Sequence, residues 1–243
     1  MNRLPVLLAL LAVVVHLGCE TSPTEIDSNT AIFKKPPKPD GGGGDGGPAN
    51  PEIAFRSNGA RHVMNADGSH SSLVVPESQF AGSSAWSPLG DGSTVPYQIV
   101  FELGGGPLAT IDITTPAEGG VVATAPSPIA ATSQFVIASY PSWSPDGSQI
   151  AFQATLGETC PNGEGQGESD IWTWNVDGSE PPTRWTFNCD NYVFATDPSW
   201  SADGSALAFK EEGGGTTMIK VLHLADGYIE TVFDAANPGD DIS

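Results

Sequence analysis

The sequence predicts an all-β chain of repeated four-stranded antiparallel units, stacked face to face as the blades of a β-propeller. Three observations predict it. The twelve residues from Pro141 to Phe152 recur from Pro198 to Phe209 with nine identities, and Trp86, Trp143 and Trp200 stand 57 residues apart. Asp-Gly pairs between short apolar runs, at Asp67-Gly68, Asp146-Gly147, Asp177-Gly178, Asp203-Gly204 and Asp226-Gly227, are hairpin signals. With 29 Gly and 21 Pro among 243 residues and only 16% charged, the composition favours turns over long helices.

The chain opens with a targeting segment. Arg3 precedes a nearly unbroken apolar run from Leu4 to Val15, and His16-Leu17-Gly18-Cys19 follows. That is the layout of a secretory signal peptide, too short for a membrane span of roughly 20 apolar residues. Gly18-Cys19 resembles the lipobox of bacterial lipoproteins, although His16 stands where that family usually has Leu. The resemblance implies cleavage after residue 18, lipid on Cys19, and a location outside the cytoplasm on the cell envelope.

Residues 19–52 are expected to be a flexible tether. Lys34-Lys35-Pro36-Pro37-Lys38-Pro39 and the Gly run from Gly41 to Gly47 lack apolar periodicity. The Gly run lacks the Gly-Lys-Ser/Thr ending of a phosphate loop.

Residues 53–243 carry four repeats, at 53–78, 84–125, 141–187 and 198–233. The third repeat shows the whole unit: it opens on a Trp-Ser strand, turns at Pro-Asp-Gly, returns through an apolar strand ending in Phe, and continues into a third strand ending at the next Asp-Gly. The fourth has Ala202-Asp203-Gly204 at the turn, and the second is looser, its third strand, Leu108–Thr114, lacking the Asp-Gly. In Ser144-Pro145-Asp146-Gly147, Pro fixes φ and Gly supplies the positive φ. The first repeat, from Ile53-Ala54-Phe55, lacks its opening strand. The third strands align as Arg61–Gly68, Ile171–Gly178 and Lys220–Gly227. Trp86, Trp143, Trp200, Phe55, Phe101, Phe152 and Phe209 are expected to pack blade on blade, with the indole N–H groups bonded to nearby Ser hydroxyls.

The pattern W-S-P-D-G-x-x-I-A-F, followed by I-x-x-M-x-x-D-G, resembles the WD40-like repeat of TolB-like periplasmic propellers. The resemblance covers residues 53–233 and speaks to fold far more than to activity. It implies six blades. Four repeats fall short of that, so an incomplete ring or a fragment is expected.

The charge, −20 from 9 Lys+Arg against 29 Asp+Glu, excludes a nucleic-acid partner, because phosphate binding needs a basic footprint. Cys160, in the loop after the second strand of the third repeat, and Cys189, after its fourth strand, leave the blade on one face. In an exported chain a Cys160–Cys189 disulfide is expected. Metal binding is the alternative, without a Cys-x-x-Cys or paired His to support it.

No catalytic residues, metal or cofactor are expected. His16, His62, His70 and His223 are scattered, and neither Gly-x-Ser-x-Gly nor His-Glu-x-x-His is present. The Asp residues belong to turns, and Glu158, Glu164 and Glu168 match no calcium loop. Trp172 and Trp174 share a strand face, which suits blade packing or, more sharply, a sugar platform.

The favoured expectation is a lipid-anchored propeller that binds an envelope protein or peptide at the loops 156–169 and 188–196. The alternatives are the propeller portion of a prolyl-oligopeptidase-like hydrolase, or a carbohydrate-binding propeller.

Overall fold

A computed structural model describes residues 33–34 and 51–236, apart from 80, 91–94, 117–119, 158–168 and 189–192. Cys19, Cys160, Cys189, Glu158, Glu164, Glu168, the leader and most of the expected tether lie outside the described residues.

Four antiparallel sheets follow one another along the chain. The first holds β1 (Phe33–Lys34), β2 (Ile53–Ser57), β3 (Ala60–Met64) and β4 (Ser72–Val75). The second holds β5 (Ala81–Trp86), β6 (Tyr97–Leu103), β7 (Leu108–Thr114) and an interrupted outer strand, β8 (Val122–Ala123) with β9 (Ser127–Pro128). The third holds β10 (Ile137–Trp143), β11 (Gln149–Thr155), β12 (Asp170–Asn175) and β13 (Thr183–Arg184). The fourth holds β14 (Phe194–Trp200), β15 (Ala206–Gly213), β16 (Thr216–His223) and β17 (Ile229–Asp234). These are the blades of a β-propeller, as the repeats predict. The first strands of neighbouring blades lie against one another and form the inner wall.

Two details depart from the expectation. The first blade has an opening strand, because Phe33 and Lys34 pair with Ala54 and Ile53 inside the segment expected to be tether. Lys34 thus takes the register place of Trp143, which pairs with Ile150. The fourth blade is offset by one residue from the sequence alignment. Leu207 pairs with Leu222, as Ile150 pairs with Trp174, so His223 corresponds to Asn175 rather than to Trp174. A slip of one residue exchanges the two faces of a strand. The offset puts Leu222 fully inside and leaves His223 at the turn.

The Pro-Asp-Gly turn is closed by its own side chains. The Gly147 N–H donates to the Ser144 carbonyl at 2.9 Å, with Gly147 at φ 72°. The Ser144 hydroxyl donates to Asp146 at 2.6 Å and accepts the Gln149 N–H at 2.9 Å, and Asp146 also accepts the Ser148 N–H at 3.0 Å. Ser201, Asp203, Ser205 and Ala206 repeat this arrangement in the fourth blade.

The core lies between blades. Ala54, Val63 and Val75 of the first blade meet Trp86, Ile99, Phe101 and Ile111 of the second. Val100, Leu108 and Ile129 meet Trp143, Ile150, Phe152 and Trp172. Ala151 and Ile171 meet Ala195, Leu207, Phe209 and Leu222. Consecutive residues such as Ile150 and Ala151 therefore enter cores on opposite faces of one blade, as the two-residue strand period requires.

Trp86, Trp143, Phe101, Phe152 and Phe209 are buried, and Trp200 is half-buried. Phe55 is a correction. It faces away from the second blade, is half-buried, and stacks on His62 at 5.3 Å. No preceding blade among the described residues covers it. The expected Ser partners for the indoles are a second correction. Trp200 Nε1 donates instead to the Ser142 carbonyl of the preceding blade at 3.1 Å. The buried Nε1 atoms of Trp86, Trp143 and Trp172 have no partner among the described residues.

Candidate functional site: an open cleft between the second and third blades

Antiparallel meandering gives each blade two edges. The Asp-Gly turns lie on one. The connections after the second and fourth strands, where binding was expected, lie on the other. A cleft of about 620 Å³ opens between the second and third blades toward the turn edge. That volume is ordinary for a small-molecule site, roughly 300–1,000 Å³.

The cleft has an apolar floor and a polar rim. Trp143, Ile150 and Trp174 form one cross-strand row on β10, β11 and β12 and line one wall together with Val176. Pro128 and Ile129 line the other wall. Gln98, Thr110, Ser127, Ser179 and Glu180 supply the polar groups. The Gln98 amide donates to Asp112 at 2.8 Å, which fixes it. Ser179 is positioned by the Asp177-Gly178 turn, its N–H donating to Asp177 at 2.9 Å. Glu180 is the one charged group among the described lining residues.

The neighbouring junctions show why the gap stays open here. Between the third and fourth blades, half-buried Trp185 packs into the core and donates from Nε1 to Thr173 Oγ1 at 2.9 Å. Between the first and second blades, buried Val74 and Val75 fill the core beside Trp86. In the second blade the outer strand breaks between Ala123 and Ser127, and Ile129 is the side chain it offers to the next blade.

Exposed apolar side chains stand on both edges, Leu73, Leu89, Val122 and Tyr228 beside the turns and four more on the loop edge. Val136 and Ile137 precede or begin β10, Phe194 begins β14, and Phe187 follows β13; they are 58%, 43%, 38% and 71% exposed. Phe187 is covered on one side by the Arg184 guanidinium, 5.0 Å from its ring. Arg184 in turn bonds Asp170, which also accepts Thr186 Oγ1 and the Asn188 N–H, each at 2.8 Å. Burial pushes the Asp170 carboxyl upward against those donors. This hub ties β12 to the start of the connection that carries Cys189.

On the inner wall the opening strands of the second, third and fourth blades shift register just before their Trp. The shifts leave Tyr140 and Asp197 at φ 50° and 54°. Ser83 is the counterpart in the second blade, and its hydroxyl accepts the Tyr140 N–H at 2.6 Å. Asp197 pairs with Lys210 at 3.4 Å. These positions bring one Ser, one Tyr and one Asp to the same level of the inner wall.

The other singled-out residues take structural places. Trp172 is buried, edge-on to Phe135 at 4.8 Å, so the Trp172–Trp174 sugar platform does not form. His223 lies 3.0 Å from Glu230, and His70 bonds Asn65 and Ser69 in its own turn. Among the described residues no three His, Cys, Asp or Glu side chains gather as a metal site would require.

No family model and no curated protein matches this sequence. Solved structures do. A puromycin-hydrolyzing peptidase of Mycobacterium tuberculosis is 16% identical over 75% of this chain and 31% of its own, with a TM-score of 0.52. A chain of the nidogen/laminin complex is 9% identical over 75% of this chain and 61% of its own, with a TM-score of 0.51. TolB from Acinetobacter baumannii is 18% identical over 76% of this chain and 38% of its own, with a TM-score of 0.47. The chain therefore spans about a third of the TolB and peptidase chains. At such identities the likeness is one of fold, and one propeller fold carries many functions.

Proposed function

We propose that this chain is an exported, lipid-anchored β-propeller that binds a protein or peptide of the cell envelope and catalyses no reaction itself. The observation that carries this reading is the set of exposed apolar side chains on the loop edge: Val136, Ile137, Phe187 and Phe194. Apolar side chains left in water on a loop edge are available to the apolar surface of a partner. The apolar leader ending at Gly18-Cys19 supplies export and anchoring.

Capture from an envelope fraction tests it. The wild-type chain is expected to retain a partner that a folded Phe187→Ser/Phe194→Ser variant loses. Equal retention by both sinks the role of this edge, and turnover of a substrate without any partner sinks the reading. In cells, Cys19→Ala is expected to move the protein from the membrane fraction to the soluble one.

The likeness to the peptidase structure favours a second reading, a propeller that serves a hydrolase. A Gly-x-Ser-x-Gly encoded downstream in the same frame would support that reading.

A further inference from the structure

We infer that the cleft between the second and third blades receives the aromatic side chain, an indole or a phenol, of a basic peptide. This rests on the peptide-binding reading and adds to the loop edge a second site, on the opposite edge of the blades, with its own chemistry. The warrant is internal to the molecule, because one junction further on the same place is filled by an indole.

The equivalence of the two places follows from backbone bonding. The Trp185 N–H donates to the Ile171 carbonyl at 2.9 Å, and the Ile129 N–H donates to the Leu108 carbonyl at 2.8 Å. The Ile171 N–H donates to Thr186 Oγ1, and the Leu108 N–H to Thr132 Oγ1, both at 3.0 Å. Thr173 pairs with Thr183 as Thr110 pairs with Ser127. Ile129 therefore stands where Trp185 stands, and Thr110 stands where Thr173 accepts the indole N–H. On the opposite wall the row Trp143–Ile150–Trp174 corresponds to Trp200–Leu207–Leu222.

The second junction thus keeps the acceptor and the apolar wall but not the ring between them. Ile129 is too small to reach across, and the cleft remains. A flat ring with one edge donor fits what is left, whereas an aliphatic side chain would leave Thr110 without a donor. The charge comes from Glu180 on the rim and from the acidic chain as a whole, at −20. Both favour a peptide with Lys or Arg beside its aromatic residue.

Isothermal titration of the full chain tests this with three tripeptides, each acetylated and amidated: Lys-Trp-Lys, Lys-Ala-Lys and Glu-Trp-Glu. Lys-Trp-Lys is expected to bind saturably, at least ten-fold more tightly than either of the others. Ile129→Trp supplies the missing ring from the protein itself. It is expected to reduce Lys-Trp-Lys binding to the level of Lys-Ala-Lys while leaving the melting temperature equal or higher. Thr110→Val keeps the shape, since Val63 occupies this register place in the first blade. It is expected to weaken Lys-Trp-Lys about ten-fold. Equal binding of Lys-Trp-Lys and Lys-Ala-Lys overturns the proposal, as does undiminished binding to folded Ile129→Trp, or cellobiose binding in place of the peptide. If those results arise while envelope capture still succeeds, the cleft assignment falls and the partner-binding reading stands.

Discussion

The repeated Trp looks like one residue used three times, yet its physics differs between copies. Trp143 is buried with its Nε1 unpartnered, whereas Trp200 is half-buried with its Nε1 bonded to the Ser142 carbonyl of the neighbouring blade. A buried N–H without an acceptor costs free energy, and a bonded one contributes about 1 kcal/mol. Phe substitutions are therefore expected to separate the two: Trp143→Phe changes stability by less than about 1 kcal/mol, and Trp200→Phe lowers it by about 1 kcal/mol. Trp143→Ala is expected to cost about 3–5 kcal/mol, because it empties space in a packed core. Denaturant midpoints of the three variants decide this, and a wild-type midpoint for Trp143→Ala would remove Trp143 from the packing. Asp170 offers a second contrast. Asp170 is the buried member of its pair with half-buried Arg184, and removing it leaves buried donors without an acceptor, so Asp170→Ala is expected to cost about 1–3 kcal/mol. It strips the Thr186 hydroxyl and the Asn188 N–H of this acceptor and leaves Arg184 only the Thr186 carbonyl. Neither distinction is visible in the sequence, where the Trp copies are identical and Asp170 belongs to no motif.

At the scale of elements, the turns were legible because their chemistry is local. Pro, Asp, Gly and the flanking Ser residues are contiguous, and every bond that closes the turn lies within six residues. The consequence is a titration. The Ser201 hydroxyl, then the Ser205 N–H, hold the Asp203 carboxyl down to about 2 from 3.8. A depressed acid stabilises the fold above its unfolded value and loses that contribution as the pH falls through its folded value. The turn bonds of Asp203 are thus expected to persist through pH 4 and to fail near pH 2. Carboxyl-detected NMR checks this, and Ser201→Ala is expected to raise the midpoint toward 3.8. A midpoint unmoved by that substitution would show that the hydroxyl does not hold the carboxylate. Other elements were hidden for reasons equally physical. β1 has neither Trp nor an Asp-Gly turn, and its pairing with β2 is set by partners outside its own two residues. The fourth strands carry no motif, so the difference between Ile129 and Trp185 that opens the cleft emerges only once both strands are in register.

The described part of the molecule is a row of blades whose apolar residues are shared between neighbours, and the sequence shows this order because the repeats carry both halves of that contribution. What the repeats do not show is how far a disturbance travels. Three separate clusters hold the described blades together, each formed by adjacent blades. In such an array stability approximates a sum of unit terms and nearest-neighbour terms. Leu207 is fully buried in the cluster between the third and fourth blades, and Phe101 in the cluster between the first and second. Leu207→Ala is expected to cost about 2–5 kcal/mol, and Phe101→Ala about 3–5 kcal/mol. The nearest-neighbour picture places those losses in different parts of the chain. In native-state hydrogen exchange, Leu207→Ala is expected to lower protection most in β14, β15 and β16, less in β11 and β12, and least in β6 and β7. Phe101→Ala is expected to give the reverse order, because β6 and β7 carry its own cluster while β15 and β16 touch neither it nor its neighbours in the cluster. The two profiles decide between local and global coupling. If each variant lowers protection by the same amount in all four blades, the blades open only together, and stability belongs to the assembled row rather than to its junctions.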